Sequence, residues 1–219
     1  MRKLAVIWRI ESLKCITKFV IFIDLMTKCF FAMFDIIGFS NLLKQKGSEG
    51  LYRLYSRNIL PMLQHAAMPE SIIKEINGIS VSIPDPRSQR VLYTFFSDTI
   101  IYYSRDDSFD SFFKIIFTSL ELLKSGFSGS KVPYRGCIGY GDIISDSNGI
   151  LLGTSLIDAY KGEQSQMWAG CILTETCESF CQENRYIDSF YQFFEIALQD
   201  EQDEIKRTEY KKAQRTLVK

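Results

Sequence analysis

Between Lys28 and Ile37 the chain runs KCFFAMFDII, and this stretch constrains the fold more than any other. A continuous apolar run of this length, closed by Gly38, reads as a buried strand. Asp35 interrupts it near its end. A carboxylate left buried and unpaired is costly. Asp35 therefore has to reach solvent at a strand end, meet an arginine or lysine, or bind a cation. The same conflict recurs in RVLYTFFSDTIIYYS, where Asp98 is set among Phe, Tyr and Ile. Taken singly, each acid also fits a cap on the turn or helix that follows it.

The rest of the chain supplies partners for these strands. GFSNLLKQKGSEGLYRLYSRNILPMLQHAA has helical spacing, with Leu42, Leu43, Leu51, Leu54, Tyr55 and Ile59 as its apolar stripe and a turn at Gly47–Gly50. GISVSIPDP is a short strand or loop. RVLYTFFSDTIIYYS is one strand, or two joined at Ser97–Asp98. SFDSFFKIIFTSLELLKSG is an amphipathic helix, capped by Ser108 or Asp110 and ended by Gly126. PYRGCIGYGDII is a strand, DSNG a turn, and ILLGTSLIDAYKGEQ starts extended and becomes helical. MWAGCILT is a further strand, and TETCESFCQENRYIDSFYQFFEIAL is helical or mixed. This order predicts an α+β or α/β sandwich around one central sheet, with a ferredoxin-type core and additions.

Composition narrows the function. The 219 residues are 46% apolar with formal net charge zero, so one sizeable core is expected and no basic footprint for nucleic acid. None of the six cysteines forms a CxxC pair, and several sit in apolar runs, as reduced core thiols of a cytoplasmic protein do. The single histidine, His65, lies at what looks like a helix end, leaving a Ser/His/Asp or Cys/His hydrolase only that one base. Charges interrupt the apolar leader MRKLAVIWRIESLKCITKFVIFIDL too often for a spanning helix or stable membrane association. Residues 1–26 are an N-terminal extension, or sequence upstream of a true start at Met26. Residues 27–200 form the domain, and 201–219 a charged, helix-prone tail.

The two acids say more together. If their strands are neighbours, the carboxylates converge and repel, and a divalent cation relieves the repulsion. Mg²⁺ and Mn²⁺ take few protein carboxylates plus substrate phosphates. Gly38 lets backbone come close to phosphate oxygens, and the amides of Gly38, Phe39 and Ser40 open the next helix, where its dipole favours anions. Two-metal phosphoryl transfer on a nucleotide is the chemistry implied.

Four motifs in order carry a family resemblance over residues 28–175. DIIGFS (Asp35–Ser40) resembles the first metal-binding motif of class III nucleotidyl cyclases. FSDT (Phe96–Thr99) resembles the hairpin bearing their second metal aspartate. RGCIGYGDII (Arg135–Ile144) resembles their R-x-G-I-x-x-G strand. GTSLIDAYKGEQSQMWAGCIL is similar to the bacterial pyrimidine cyclases of Pycsar anti-phage systems, through Ala159, Tyr160, Glu163, Gln166, Trp168 and Gly170. The resemblance implies a mostly antiparallel sheet flanked by helices, and a homodimer with active sites at its interface. It implies two Mn²⁺ or Mg²⁺ ions held by the Asp35 and Asp98 carboxylates and the Ile36 carbonyl. It implies a nucleoside triphosphate cyclised to a 3′,5′-cyclic nucleotide that signals to a separate effector.

The same comparison marks departures. The transition-state Asn and Arg of purine cyclases correspond to Ile157 and Lys161, where Lys161 is a point charge that cannot fork around a phosphate. Their purine-reading acid corresponds to Ile150. Thr94, four residues before Asp98, is the other base-reading position, flanked by Tyr93 and Phe96, which can stack a pyrimidine or fill the core. Arg135 is a phosphate contact or a surface salt-bridge partner. UTP is favoured over CTP because uridylate cyclases are the commoner kind. RTLVK resembles the start of a further strand, where related enzymes continue with a phosphate-binding lysine, so the chain is a short member or a truncated frame. Rival readings are a purine cyclase and a cyclase-like module that binds nucleotide without catalysis.

Overall fold

The computed structural model describes residues 27–76, 79–85, 88–146 and 150–200. The apolar run forms β1 (Thr27–Ile36), buried along most of its length. It is hydrogen-bonded on both sides, antiparallel to β5 (Thr99–Ser104) and to β6 (Tyr134–Ser145). Its two faces each lie in a packed core, which is why the run is apolar on both. β4 (Val91–Phe96) adds to β5 through a hairpin whose turn is Ser97–Asp98. On the far side of β6, β7 (Leu151–Leu152) pairs antiparallel with its end and β8 (Gly170–Leu173) parallel with its start. The sheet order is β4-β5-β1-β6-β7, with β8 beside β6. The α+β expectation of a mostly antiparallel sheet flanked by helices is met.

The two faces of the sheet are covered unequally. Phe30, Phe34, Ile36, Ile100 and Tyr102 meet α3 (Phe109–Lys124), α5 (Glu175–Glu183) and α6 (Tyr186–Asp200) in the larger core. Phe31, Met33 and Cys137 face α4 (Thr154–Ser165), which contributes Ala159. The Ser108 hydroxyl accepts from the Ser111 amide and caps α3, so Ser108 rather than Asp110 is the cap. Cys29, Cys137, Cys177 and Cys181 are buried free thiols and Cys171 is half-buried.

Several expectations need correction. The expected break falls inside α1 (Phe39–Leu54), whose two helical stretches meet at a kink at Gly47, φ 66°. A π-helical turn, Tyr55–Ile59, then leads into α2 (Leu60–Ala66). Of the proposed stripe, Leu51, Leu54 and Ile59 are buried, but Leu43 is exposed. α3 runs through Gly126 into a second π-helical turn, Ser125–Ser130. Gly126 is needed there for clearance: a Cβ would lie 2.5 Å from the Val132 carbonyl oxygen. SIIKEI, read as no element at all, is β2 (Ser71–Ile76), which pairs with β3 (Ile79–Pro84) as a separate hairpin. Of MWAGCILT only Gly170–Leu173 is strand. The leader and the tail, with the readings made of them, lie outside the described residues. Among the described residues no helix is long and apolar enough to cross a membrane.

Two glycines of β6 let the aromatic rings of β1 lie across it. A Cβ at Gly136 would meet the Phe34 ring, and one at Gly139 the Phe31 ring. Both rings are fully buried, so neither can swing away without opening the core. Gly139→Ala is therefore expected to cost about 1–3 kcal/mol, read as a lowered midpoint in urea denaturation at unchanged slope.

Candidate functional site

The register of the sheet builds one transverse row. Phe96 of β4 lies opposite Thr99 of β5, which lies opposite Asp35 of β1, then Arg135 of β6, then Gly170 of β8. Cross-strand partners share a face, and strand alternation puts this row on the same face as Phe31 and Met33, beneath α4. The strand-pairing residues thus fix which groups surround Asp35 before any side chain is considered.

Arg135 stands next to Asp35 in the row. Its Nη2 donates to Asp35 Oδ2 at 3.4 Å, its Nη1 to the Gln166 carbonyl at 3.4 Å, and its Nε to Glu163 Oε1. Glu163 comes from α4 and is only 2% exposed. Its other oxygen accepts from Gln164 Nε2 at 2.7 Å. Gln166, also buried, donates from Nε2 to the Gly136 carbonyl at 2.7 Å and ties the end of α4 to β6.

Asp98 closes the site from the hairpin turn. Burial pushes the Asp35 carboxyl up to about 6, the nearby Asp98 and Glu163 add to this, and Arg135 opposes it. Asp98 is close enough to the Asp35 carboxyl to help raise it. Asp35 and Glu163 share the Arg135 guanidinium and Asp98 adds a further acid beside Asp35, so negative charge is in excess among the described residues there. Among the described residues no three His, Cys, Asp or Glu side chains gather into a ready-made metal cage. Two carboxylates nonetheless suit Mg²⁺ or Mn²⁺, which keep water and phosphate oxygens as their other ligands.

The other residues singled out from the sequence fall in three places. Ile36 is the buried last residue of β1, next to Asp35. Gly38 stands at the N-terminus of α1 with φ 76°, in open space, so backbone conformation and not crowding calls for glycine. The Asn41 and Leu42 amides both donate to the Gly38 carbonyl at 3.0 Å, so the amides of Phe39 and Ser40 precede the first intrahelical bonds. Thr94 pairs with Ile101, which pairs with Met33, so it sits on the Asp35 face one row along and is exposed. Ile157 and Lys161 are exposed on α4, turned away from the side that Ala159 and Glu163 bury. Ile150 is exposed at the start of the β7 segment. Lys161 and Ile150 are thus not gathered around Asp35.

Two site residues were not recognised from the sequence. Glu163 stood only within a motif, since a glutamate on a short helix ordinarily faces water. Its i+4 spacing from the buried Ala159 was the available signal. Tyr55 was read as one more apolar-stripe residue. Its hydroxyl donates to the Ser97 carbonyl at 2.5 Å and its ring meets Phe95 at 5.5 Å between centroids. Burial, then Tyr134, Asp98 and Asp35, push the phenol up, so it remains a donor.

No protein family's profile matches the chain, and no curated protein matches it. Solved structures do. The guanylyl cyclase domain of the RhoGC fusion protein from the aquatic fungus Blastocladiella emersonii superposes with a TM-score of 0.51 at 12% identity, covering 72% of this chain and 86% of that one. A double-mutant form of that domain gives 0.52 at 12% identity, covering 72% and 85%. The catalytic core of a rhodopsin-guanylyl cyclase with converted specificity, in complex with ATPαS, gives 0.50 at 12% identity, covering 71% and 82%. The fold is that of these cyclase domains, as the motif resemblance implied.

Two outcomes follow from the electrostatics of metal-free protein. The folded Asp35 carboxyl sits near 6 against an ordinary value of 3.8, so wild-type stability is fully present below about pH 4 and declines as pH rises through 6. Asp35→Asn removes that decline and is expected to gain about 1 kcal/mol at pH 7, after allowing for solvent screening, with no gain at pH 3.5. Thermal melts across that range check it. Glu163→Ala strands Arg135 against the sheet and is expected to cost about 3 kcal/mol in denaturant unfolding.

Proposed function

We propose that the protein is a metal-dependent pyrimidine nucleotide cyclase, which converts UTP, or else CTP, to the 3′,5′-cyclic nucleotide and pyrophosphate. The observation that carries this reading is the convergence of Asp35, near the end of β1, and Asp98, in the hairpin turn, beside the N-terminus of α1. The shared fold with cyclase domains supports the reaction class. The pyrimidine preference rests on the motif resemblance and on Ile150 and Ile157 standing where purine cyclases carry polar groups.

The residues divide the work as follows. Asp35 and Asp98 would hold two divalent cations through carboxylates, with the Ile36 carbonyl as a further ligand. When bound, these ions make the ribose 3′-hydroxyl more acidic and offset charge on the leaving pyrophosphate. The 3′ oxygen then bonds to the α-phosphorus as the bond to the β-phosphate oxygen breaks, and the 3′ proton passes to water. The Gly38, Phe39 and Ser40 amides face the triphosphate from the positive end of α1. Arg135 keeps Asp35 oriented through its bonds to Glu163 and the Gln166 carbonyl. Thr94, exposed on the same face, is the proposed base contact.

A homodimer completes this reading. Phe96 is 85% exposed, and Ile157, Tyr160 and Trp168 are each about half exposed around α4. Apolar surface of this kind marks an interface. A partner docked there would bring its own Lys161 towards the phosphates. The product is proposed to act as a second messenger for a separate cyclic-nucleotide-sensing effector in anti-phage defence.

Incubation of purified protein with Mn²⁺ and each of the four NTPs, followed by mass spectrometry, tests the proposal. Cyclic UMP or cyclic CMP is expected, with Asp98→Ala reducing turnover more than a hundredfold, since even outer-shell changes cost about 10–100-fold. Cyclic AMP or GMP as the main product would replace pyrimidine with purine specificity. Nucleotide binding without pyrophosphate release would leave a binding module.

A further inference from the structure

The Ser97–Asp98 turn has less support than the rest of the site. β4 is the edge strand of the sheet, and its last pair with β5 is Phe96 with Thr99. Asp98 therefore lies beyond the ladder, with no strand hydrogen bonds of its own to fix it. Ser97 takes a left-handed conformation, φ 57°, which a residue with a Cβ adopts only when its surroundings hold it there.

Tyr55 supplies that hold. Its hydroxyl donates to the Ser97 carbonyl at 2.5 Å. That carbonyl belongs to the peptide unit joining Ser97 to Asp98, and a peptide unit is planar. Fixing its oxygen fixes the plane from which the Asp98 backbone departs. The Tyr55 ring lies against Phe95, so ring and hydroxyl together hold the β4 side of the hairpin where it enters the turn. Tyr55 also opens the π-helical turn Tyr55–Ile59, where one extra residue re-aims the helix surface. Such turns recur at functional sites.

We propose that Tyr55 is a positioning residue whose hydroxyl locks the Ser97–Asp98 peptide and so holds the Asp98 carboxylate against Asp35 for cation binding. The hydroxyl acts through the turn and touches neither cation nor substrate. This inference rests on the cyclase reading for its consequence, though the lock itself exists in metal-free protein.

Tyr55→Phe removes the hydroxyl and leaves the ring on Phe95. Two measurements test it. In metal-free protein, amide hydrogen exchange over residues 97–99 is expected to speed up about threefold to tenfold, the range of one net hydrogen bond, while β1 and β6 amides are unchanged. Mn²⁺ binding, followed by the electron paramagnetic resonance of free Mn²⁺ with a non-cyclisable UTP analogue present, is expected to weaken by a similar factor. At saturating Mn²⁺, kcat is expected to return to near wild type, the split a general loss of folding would not produce. Unchanged exchange at the turn, or unchanged Mn²⁺ affinity, overturns the proposal. A Y55F protein that melts earlier yet binds Mn²⁺ as wild type also overturns it, by making Tyr55 merely structural. If wild type itself binds no Mn²⁺ with nucleotide, the cyclase reading fails and takes the cation role with it, whereas the exchange result still judges the lock.

Discussion

Arg135 is the interaction on which the rest of the site depends. Glu163 on α4 is almost wholly buried, and a buried carboxylate without a partner would be expelled or protonated. Arg135 provides the partner and spends its remaining donors on Asp35 and the Gln166 carbonyl. One guanidinium thereby joins β6 and α4 to β1, a hundred residues earlier in the chain. The planar fork of arginine matters here, because a lysine has one ammonium and could not reach all three acceptors. The price of a buried ion pair is desolvation, so the arrangement specifies geometry more than it adds stability.

The packing beneath serves the same geometry. Phe34 and Phe31 flank Asp35 along β1 on alternate faces, and each crosses a glycine of β6. Tight approach of β1 to β6 holds the Asp35–Arg135 pair at fixed separation. The larger core anchors the opposite face through Phe30, Phe112, Phe180 and Tyr186, whose rings meet at 5.2–6.2 Å. The functional face carries fewer covering elements, and its exposed Thr94 and Phe96 lie beyond α4. A rigid aromatic floor and an open upper face together suit a site that must admit a ligand.

How much of this was legible depended on the range of the interactions. β1, the Ser97–Asp98 hairpin, α3 with its Ser108 cap and β6 were all readable, because apolar runs, turn residues and caps act within a few residues. The pairing of Asp35 with Asp98 was readable as a conditional, since it required the two strands to be neighbours. Glu163 and Tyr55 were not readable as site residues. Their roles depend on contacts 28 and 42 residues away. β2 was missed because SIIKEI places Lys74 and Glu75 in the middle of a short run and pairs only with β3, outside the main sheet. Gly126 has the local signature of a helix stop, whereas its clearance against Val132 is a tertiary constraint that local sequence does not show.

Charge decides what kind of ligand such a site can accept. A triphosphate is strongly anionic, and the amides at the start of α1 would attract it. Asp35 and Asp98 stand beside those amides and would repel it. A site built only to bind an anion would offer free lysine or arginine there, and Arg135 is already committed to Glu163 and Asp35. Burial first, and the neighbouring Asp98 and Glu163 after it, push the Asp35 carboxyl up to about 6. Divalent cations reconcile the two halves, since they satisfy the carboxylates and present positive charge to the phosphates at the same time. The acids are therefore incompatible with simple anion capture and compatible with cation-assisted handling of a nucleotide.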